Sequence, residues 1–199
     1  MNVIVDYQAG NLANLKNALD HLGLESQIAT DASAVKAASH ILMPGVGAFY
    51  PAMESLRQSG MMEAILEQIA AGIPFLGICV GLQLLFAEGQ ENGSHPGLGL
   101  IEGSVVRFKH QLKIPQMGWN QVAFCREDPL LKNIPDHSYF YFVHSYHGVP
   151  SKPEITLGTT DYGLSFTSVL QTGNIWGVQF HPEKSQTVGL ELLKNFCSF

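Results

Sequence analysis

Short uninterrupted apolar runs, separated by segments of helical periodicity, constrain the fold of this chain most strongly. The runs occupy residues 2–5, 41–43 and 74–79. A helical spacing of Leu and Ala follows the first run over 12–22, and a helical pattern broken at Gly60 covers 51–70. Strands that are buried on both faces read as continuous apolar runs, because neither face meets water. The first half therefore predicts an α/β fold with a parallel sheet covered on both faces by helices.

The second half has a different pattern. Strand-like segments are joined by short polar turns, near 100–108, 120–124, 138–143, 155–160, 165–170 and 174–180. These segments predict a mixed sheet or an antiparallel lobe. Two helices are also expected, one over 82–86 after the third apolar run and one near the end of the chain, capped by Ser185.

Composition excludes several classes of protein. The chain has 199 residues, 46% of them hydrophobic, and its net charge is −6, from 11 basic and 17 acidic residues. It is not a disordered chain, and an acidic chain without a basic run is a poor nucleic-acid binder. No apolar run reaches the roughly 20 residues that span a bilayer, and the N-terminus lacks the basic region of a signal peptide. At this length a single domain over 1–199 is expected.

The three cysteines lie far apart at positions 79, 125 and 197, with no CxxC pair. This spacing argues against both a disulfide framework and a structural zinc site. His144 and His147 form no recognisable metal site, because the preceding residues are strand-like and no acidic cluster accompanies them. A reduced, cytoplasmic protein with one reactive thiol is the interpretation that fits, and neither a metal nor a cofactor is expected.

Cys79 lies in the sequence Gly-Ile-Cys-Val-Gly, which leaves a buried strand and opens a helix. This is the pattern of a tight strand-to-helix turn that exposes a nucleophile. A Cβ at Gly77 or Gly81 would collide with neighbouring elements, and the start of a helix favours a thiolate. The alternative is a buried structural cysteine, the usual fate of a free thiol.

A cysteine nucleophile needs a base and a group that orients the base. His181 follows a strand and is separated from Glu183 by Pro182, which favours extended backbone at His181. Residues i and i+2 of an extended chain face the same side, so the carboxylate can reach the imidazole. His-Pro-Glu alone fits a solvated loop equally well, and it is the pairing with the Cys79 turn that favours catalysis.

The segment from Pro44 to Phe49 contains Gly45 and Gly47 and follows the second buried strand. Glycines allow peptide N–H groups to turn toward a ligand, and acyl transfer requires such donors at the developing oxyanion. The alternative is an ordinary turn.

Six segments together carry a resemblance to a known family: 6–12, 44–49, 77–86, 117–120, 141–146 and 179–185. They cover essentially the whole chain and resemble the class I (triad) glutamine amidotransferases. Met-Gly-Trp-Asn at 117–120 and Tyr-Phe-Val-His-Ser-Tyr at 141–146 resemble, within that family, the glutaminase subunits of imidazole glycerol phosphate synthases. The resemblance implies a three-layer, flavodoxin-like sandwich with a mostly parallel central sheet and an additional antiparallel segment.

The resemblance also implies roles for individual residues. Cys79 would attack the side-chain amide of L-glutamine, with His181 as base and Glu183 as its orienting group. The N–H groups of Val46 and Val80 would form the oxyanion hole. Val80 stands where Leu is more usual, with little expected effect because the N–H is what acts. Five residues match positions that hold glutamine: Gly47, Gln83, Glu91, Ser145 and Tyr146.

A partner follows from the same resemblance, because the ammonia released must not escape to water. The partner would be a (β/α)₈-barrel cyclase that forms a heterodimer with this chain and makes imidazole glycerol phosphate and an aminoimidazole ribonucleotide in histidine biosynthesis. Six residues match interface positions: Asn11, Asn14, Met117, Trp119, Tyr141 and Lys184. The segment Gly45–Gly47 is hypothesised to be a switch whose peptide N–H turns inward only when the synthase holds its ligand.

Three other functions remain open at this point. The same glutaminase could supply ammonia to a sugar amidotransferase or another synthase. A free-standing cysteine hydrolase of the same fold would need no docking face. A non-catalytic binding module is disfavoured by the intact set of Cys79, His181 and Glu183.

Overall fold

The computed structural model describes residues 1–199, which form two sheets and six α-helices. The strands are β1 (Asn2–Val5), β2 (Ser26–Ala29), β3 (His40–Gly45), β4 (Phe75–Cys79), β5 (Phe86–Gly89), β6 (His95–Pro96), β7 (Ile101–Arg107), β8 (Gln116–Phe124), β9 (Ser138–His144), β10 (Tyr146–Pro150), β11 (Thr156–Asp161), β12 (Ser165–Thr172) and β13 (Ile175–Val178). The helices are α1 (Leu12–His21), α2 (Ala32–Lys36), α3 (Phe49–Gln58), α4 (Met62–Ala70), α5 (Val80–Gln83) and α6 (Gln186–Phe196). No helix has the length and apolar character needed to cross a membrane.

The larger sheet has nine strands in the order β2-β1-β3-β4-β13-β12-β11-β8-β9. Its first five strands are mutually parallel, in the order typical of flavodoxin-like folds. Right-handed crossovers place α1 on one face and α2 to α4 on the other, because β2 and β3 lie on opposite sides of β1. The contacts of α1 with α6, and of α2 with α4, agree with this arrangement. The predicted parallel sheet between two helical layers is therefore present.

The remaining strands supply the antiparallel part that the second half of the sequence predicts. β12, β11, β8 and β9 each pair antiparallel with the preceding strand of the large sheet. A smaller sheet, in the order β10-β7-β5-β6, packs beside it. One cluster of buried hydrophobic side chains includes residues from both sheets, among them Val105 of β7 and Leu170 of β12.

Sheet register brings the candidate functional segments to one edge. Gly45, the last residue of β3, lies beside Cys79, the last residue of β4. On the other side of β4, Val178 of β13 lies beside Ile78. The carboxyl ends of neighbouring parallel strands form the usual ligand site of such sheets. The Pro44–Phe49 segment, the Cys79 turn and the His181 segment therefore meet there.

The structure corrects the sequence prediction in two places. The helix expected over 82–86 is only the four-residue α5, and Phe86 instead begins β5. A short apolar run is compatible with either a helix or a strand. Here Phe86 is in a strand because it pairs with Ile101 of β7. Ser185 stands at the start of α6, but its hydroxyl does not cap the helix. It donates instead to the carbonyl of His181 at 2.6 Å and accepts from the N–H of Tyr141 at 3.0 Å.

Candidate active site

Cys79 occupies a strained turn between β4 and α5. Its backbone angles are φ 55° and ψ −111°, and a positive φ is uncommon for a residue with a side chain. The turn is possible only because its neighbours are glycines. A Cβ on Gly77 would lie 2.7 Å from the carbonyl oxygen of Gly81, and one on Gly81 would lie 1.9 Å from that of Met43. The sequence-based prediction that a Cβ at either glycine would collide with neighbouring elements is confirmed.

His181 and Glu183 form a buried pair. Nδ1 of the imidazole lies 2.9 Å from Oε1 of the carboxylate, and both side chains are at most 4% exposed. The N–H of His181 donates to the carbonyl of Tyr141 at 2.9 Å, which ties this segment to β9. The expected approach of the two side chains across Pro182 is thus present, and it fixes the orientation of the ring.

The electrostatic environment of His181 favours its protonated form. Burial lowers the pKa of this imidazole, but hydrogen bonding with Cys79 and Glu183 and their negative charges outweigh burial and raise the pKa to about 10. Nε2 is buried and has no well-directed hydrogen-bond partner. The sulphur is therefore near enough to influence the ring, while Nε2 remains free to carry a proton to or from a bound molecule.

A cavity of about 270 Å³ lies in front of Cys79. This volume is at the small end of the roughly 300–1,000 Å³ of ligand pockets and suits a molecule of amino-acid size. Most of the site residues predicted from the sequence line it: Cys79, His181, Val46, Val80, Gly47, Gln83, Glu91, Ser145 and Tyr146. Sequence reasoning did not anticipate three further lining residues, Pro115, Val143 and His144.

Of the two predicted oxyanion donors, Val46 and Val80, the first has its N–H in a hydrogen bond outside the cavity. Val46 and Val80 both line the cavity, but the N–H of Val46 donates to the carbonyl of Ala9 at 2.8 Å. Ala9 is not a cavity residue, so this N–H faces away from the site in the present conformation. Gly47, with φ +94°, adjoins Val46 and gives the segment conformational freedom that other residues lack.

Glu91 reaches the cavity from the turn between β5 and β6 and also holds the start of α3. Its Oε2 accepts the N–H of Phe49 at 2.7 Å. The preceding residue, Ala48, has no side chain that could cap the helix. A carboxylate at a helix N-terminus is stabilised by the helix dipole. Glu91 therefore presents a negative charge to the cavity and anchors the end of the Pro44–Phe49 segment.

His144 is buried and held on both sides of its ring. Nδ1 lies 2.8 Å from the carbonyl oxygen of Tyr146, and Nε2 lies 3.0 Å from the side-chain amide of Gln116. Burial lowers its pKa to about 3, so the ring is neutral at pH 7. It therefore donates from Nδ1 to the carbonyl and supports the Ser145–Tyr146 segment. The signal available in the sequence was a polar residue at the end of an apolar strand.

A family model described as glutamine amidotransferase class-I matches residues 3–198. The chain belongs to the class-I glutamine amidotransferase family. One relative is 50% identical over 97% of this chain and 92% of its own length, and is named imidazole glycerol phosphate synthase subunit HisH, from Moorella thermoacetica. The protein of the same name from Chlorobaculum tepidum is 48% identical over the full length of both chains.

Solved structures agree with the family at the level of fold. PurLQS from Thermotoga maritima has a TM-score of 0.77 at 16% identity, covering 99% of this chain and 97% of that one. The crystal structure of a glutamine amidotransferase has a TM-score of 0.74 at 20% identity, covering 98% and 97%. The resemblance to the class I amidotransferases and the three-layer fold expected from it are confirmed.

Four of the six predicted interface residues lie on one face of β8 and β9 and next to it, two of them exposed and two half-buried. Met117 and Trp119 on β8 are 63% and 45% exposed. The Trp119 ring meets that of Tyr141 on β9 edge-on at 6.1 Å, and Nζ of Lys184 lies 5.9 Å from the Tyr141 ring centre. We call these four residues the β8–β9 patch. Asn11 and Asn14 stand at the start of α1, and Asn14 lines a groove with Glu183, the residue that precedes Lys184.

Proposed function

We propose that this chain is the glutaminase subunit of an imidazole glycerol phosphate synthase. It hydrolyses L-glutamine to glutamate and ammonia and delivers the ammonia to a cyclase subunit. The observation that carries the proposal is the cavity where Cys79 and the His181–Glu183 pair meet, in a chain about half identical to proteins named HisH.

Cys79 and His181 share the chemistry in two half-reactions. The sulphur attacks the carbonyl carbon of the glutamine side-chain amide, and the thiol proton resides on His181. His181 then gives that proton to the amide nitrogen as the carbon–nitrogen bond breaks, which releases ammonia and leaves a glutamyl thioester. Water attacks the thioester while His181 takes its proton, and return of the proton to sulphur releases glutamate. Glu183 holds Nδ1 throughout, which keeps Nε2 directed at the reacting atoms.

The oxyanion of each tetrahedral intermediate needs N–H donors, and we assign this role to Val80 and Val46. The N–H of Val46 must first leave the carbonyl of Ala9, so the peptide between Gly45 and Val46 has to rotate. One lost oxyanion donor costs about 10²–10³ in rate. The isolated chain is therefore expected to be a slow glutaminase until that peptide turns.

Glutamine is held by groups that surround the cavity. The carboxylate of Glu91 suits the α-ammonium group of the substrate by charge. Gly47, Gln83, Ser145 and Tyr146 complete the binding site. Gln83 donates from Nε2 to the carbonyl of Tyr146 at 3.0 Å, so the two sides of the site are already joined before a ligand enters.

The partner we propose is a (β/α)₈-barrel cyclase bound at the β8–β9 patch and at Asn11 and Asn14. Docking next to the His181 segment would let ammonia pass to the partner without meeting bulk water. The complex would be a heterodimer in the cytoplasm, where a reactive thiol such as Cys79 stays reduced.

The test is glutamate release by the chain together with the barrel cyclase of the same organism. Cys79→Ser should lower the rate roughly a thousandfold or more, because the nucleophile and its base act as a unit. Cys125→Ser, which changes an exposed thiol, is the matched control and should retain full activity. Undiminished glutamate release by Cys79→Ser would refute the proposal. Formation of imidazole glycerol phosphate from glutamine distinguishes this partner from a sugar amidotransferase.

A further inference from the structure

Gln179 is a completely buried polar side chain beside the nucleophile, in the segment that carries His181. It follows β13, is 0% exposed, and donates its backbone N–H to the carbonyl of Ser168 at 2.9 Å. Phe180 turns the other way and stacks on Phe140 at 4.0 Å. The amide of Gln179 and the imidazole of His181 therefore both approach Cys79 from the segment that follows β13.

The hydrogen bonds around Gln179 determine which way its amide points. The carbonyl oxygen of Tyr146 can only accept a hydrogen bond. Gln83 lies 3.0 Å from that oxygen and must present its NH₂ group there. The same nitrogen lies 3.1 Å from the amide of Gln179, which must therefore present its oxygen to Gln83. The NH₂ group of Gln179 is left facing Sγ of Cys79, at 3.7 Å.

We propose that Gln179 is a further catalytic residue, which donates a hydrogen bond to the sulphur of Cys79 and stabilises the thiolate. This inference deepens the proposed function and rests on it. An ionised acceptor gains more from a donor than a neutral one does. The amide therefore favours the thiolate before attack and the same sulphur again when the thioester breaks.

The helix that follows Cys79 is short, which gives a further hydrogen-bond donor at the sulphur more weight. A long helix would have placed a large dipole at the sulphur, but α5 has four residues and its summed peptide dipole is correspondingly small. The protonated imidazole of His181 acts on one side of the sulphur, and Gln179 supplies a neutral donor from within the protein. Because Gln83 contacts both Gln179 and the Tyr146 carbonyl, the nucleophile and the substrate-binding segment share one hydrogen-bond network.

The test follows alkylation of Cys79 by iodoacetamide as a function of pH, in the purified full-length chain, with each modified cysteine identified by mass spectrometry. Gln179→Met keeps the length of the side chain and removes the donor. Hydrogen bonds to charged groups are strong enough to move the alkylation midpoint of Cys79 upward by about one pH unit, a tenfold loss of reactivity below the midpoint. Cys125 is the internal reference, and its profile should not move.

Gln27→Met is the matched control, since it makes the same change at an exposed position on β2. Overlapping Cys79 profiles for folded Gln179→Met and wild type would overturn the inference. Should that variant fail to fold, nuclear magnetic resonance of the wild type decides. The side-chain amide signals of Gln179 must shift as Cys79 titrates, and constant signals would overturn the inference. Neither measurement uses glutamine, so a result that overturns this inference is distinct from a result that overturns the proposed function.

Discussion

His181 is held between two groups that can be negatively charged, and this position determines how it responds to pH. Burial alone would lower its pKa, yet Cys79 and Glu183 raise it to about 10. Its folded-state pKa thus lies above the ordinary value of 6.5. Protonation of His181 therefore stabilises the folded state fully below about pH 6.5, and this stabilisation is lost as pH rises through about 10.

Glu183→Gln tests this account because it removes one negative charge and keeps the shape of the side chain. We expect the pKa of His181 to fall, so the loss of folding stability with rising pH is smaller and is complete at a lower pH than in wild type. Glutamate release should fall roughly a hundredfold or more, since the ring loses its orienting carboxylate. Urea unfolding between pH 6 and 10.5, with the imidazole signal followed by nuclear magnetic resonance, measures both changes. Superimposable titrations of His181 in the two proteins would contradict the expectation.

The sequence predicted those single residues whose role depends on their neighbours in the chain. Gly77 and Gly81 reveal the turn around Cys79 because only glycine fits there, and Pro182 reveals how His181 can reach Glu183. Gln179 was not predicted, because its role depends on Gln83, which lies far from it in the chain and is adjacent only in the folded protein. Its one local signal was a polar residue inside an apolar strand segment, where buried polar groups need a partner.

At the scale of elements, the turn between β4 and α5 is fixed by packing against β3. The carbonyl of Met43 fits against Gly81 so closely that no side-chain atom can be added. The central strands β1, β3 and β4 were predicted well, because they are buried at every residue and appear in the sequence as continuous apolar runs. β10 was not predicted, because it begins only two residues after β9 ends and Ser145 alone separates the two strands. β2 was also missed, since its four residues include two exposed positions on an edge strand.

Gly81→Ala should destabilise the protein by about 3 kcal/mol, at the upper end for overpacking, because the new methyl group would meet the Met43 carbonyl. Gly23→Ala is the matched control. Its φ of +69° makes alanine cost about 1 kcal/mol, but nothing lies within 4 Å of the added carbon. The free energy of unfolding in urea compares the two variants. Equal losses would mean that β3 and the turn are less tightly packed than the structure indicates.

At the scale of the whole molecule, strand order rather than sequence distance assembles the site. β13 comes after β8, β9, β11 and β12 in the sequence, but it pairs with β4 in the sheet. This pairing brings His181 close to Cys79, although about half the chain separates them. The same order places β8 and β9 so that the Tyr141 carbonyl accepts from His181, which links the β8–β9 patch to the candidate active site. No periodicity in the sequence marks such a face, and only the resemblance of its motifs pointed to it.

The β8–β9 patch should contribute directly to binding of the proposed barrel cyclase. Trp119→Ala removes an exposed aromatic side chain that packs only against Tyr141 among the aromatic rings. The dissociation constant measured by titration calorimetry should rise about thirtyfold or more, as for interface residues worth about 2 kcal/mol. The thermal unfolding midpoint of the isolated chain should stay unchanged. Phe199→Ala is the control, because Phe199 is 39% exposed and packs on Trp176 at the opposite end of β13. Equal affinities of the two variants would place the docking surface elsewhere on the molecule.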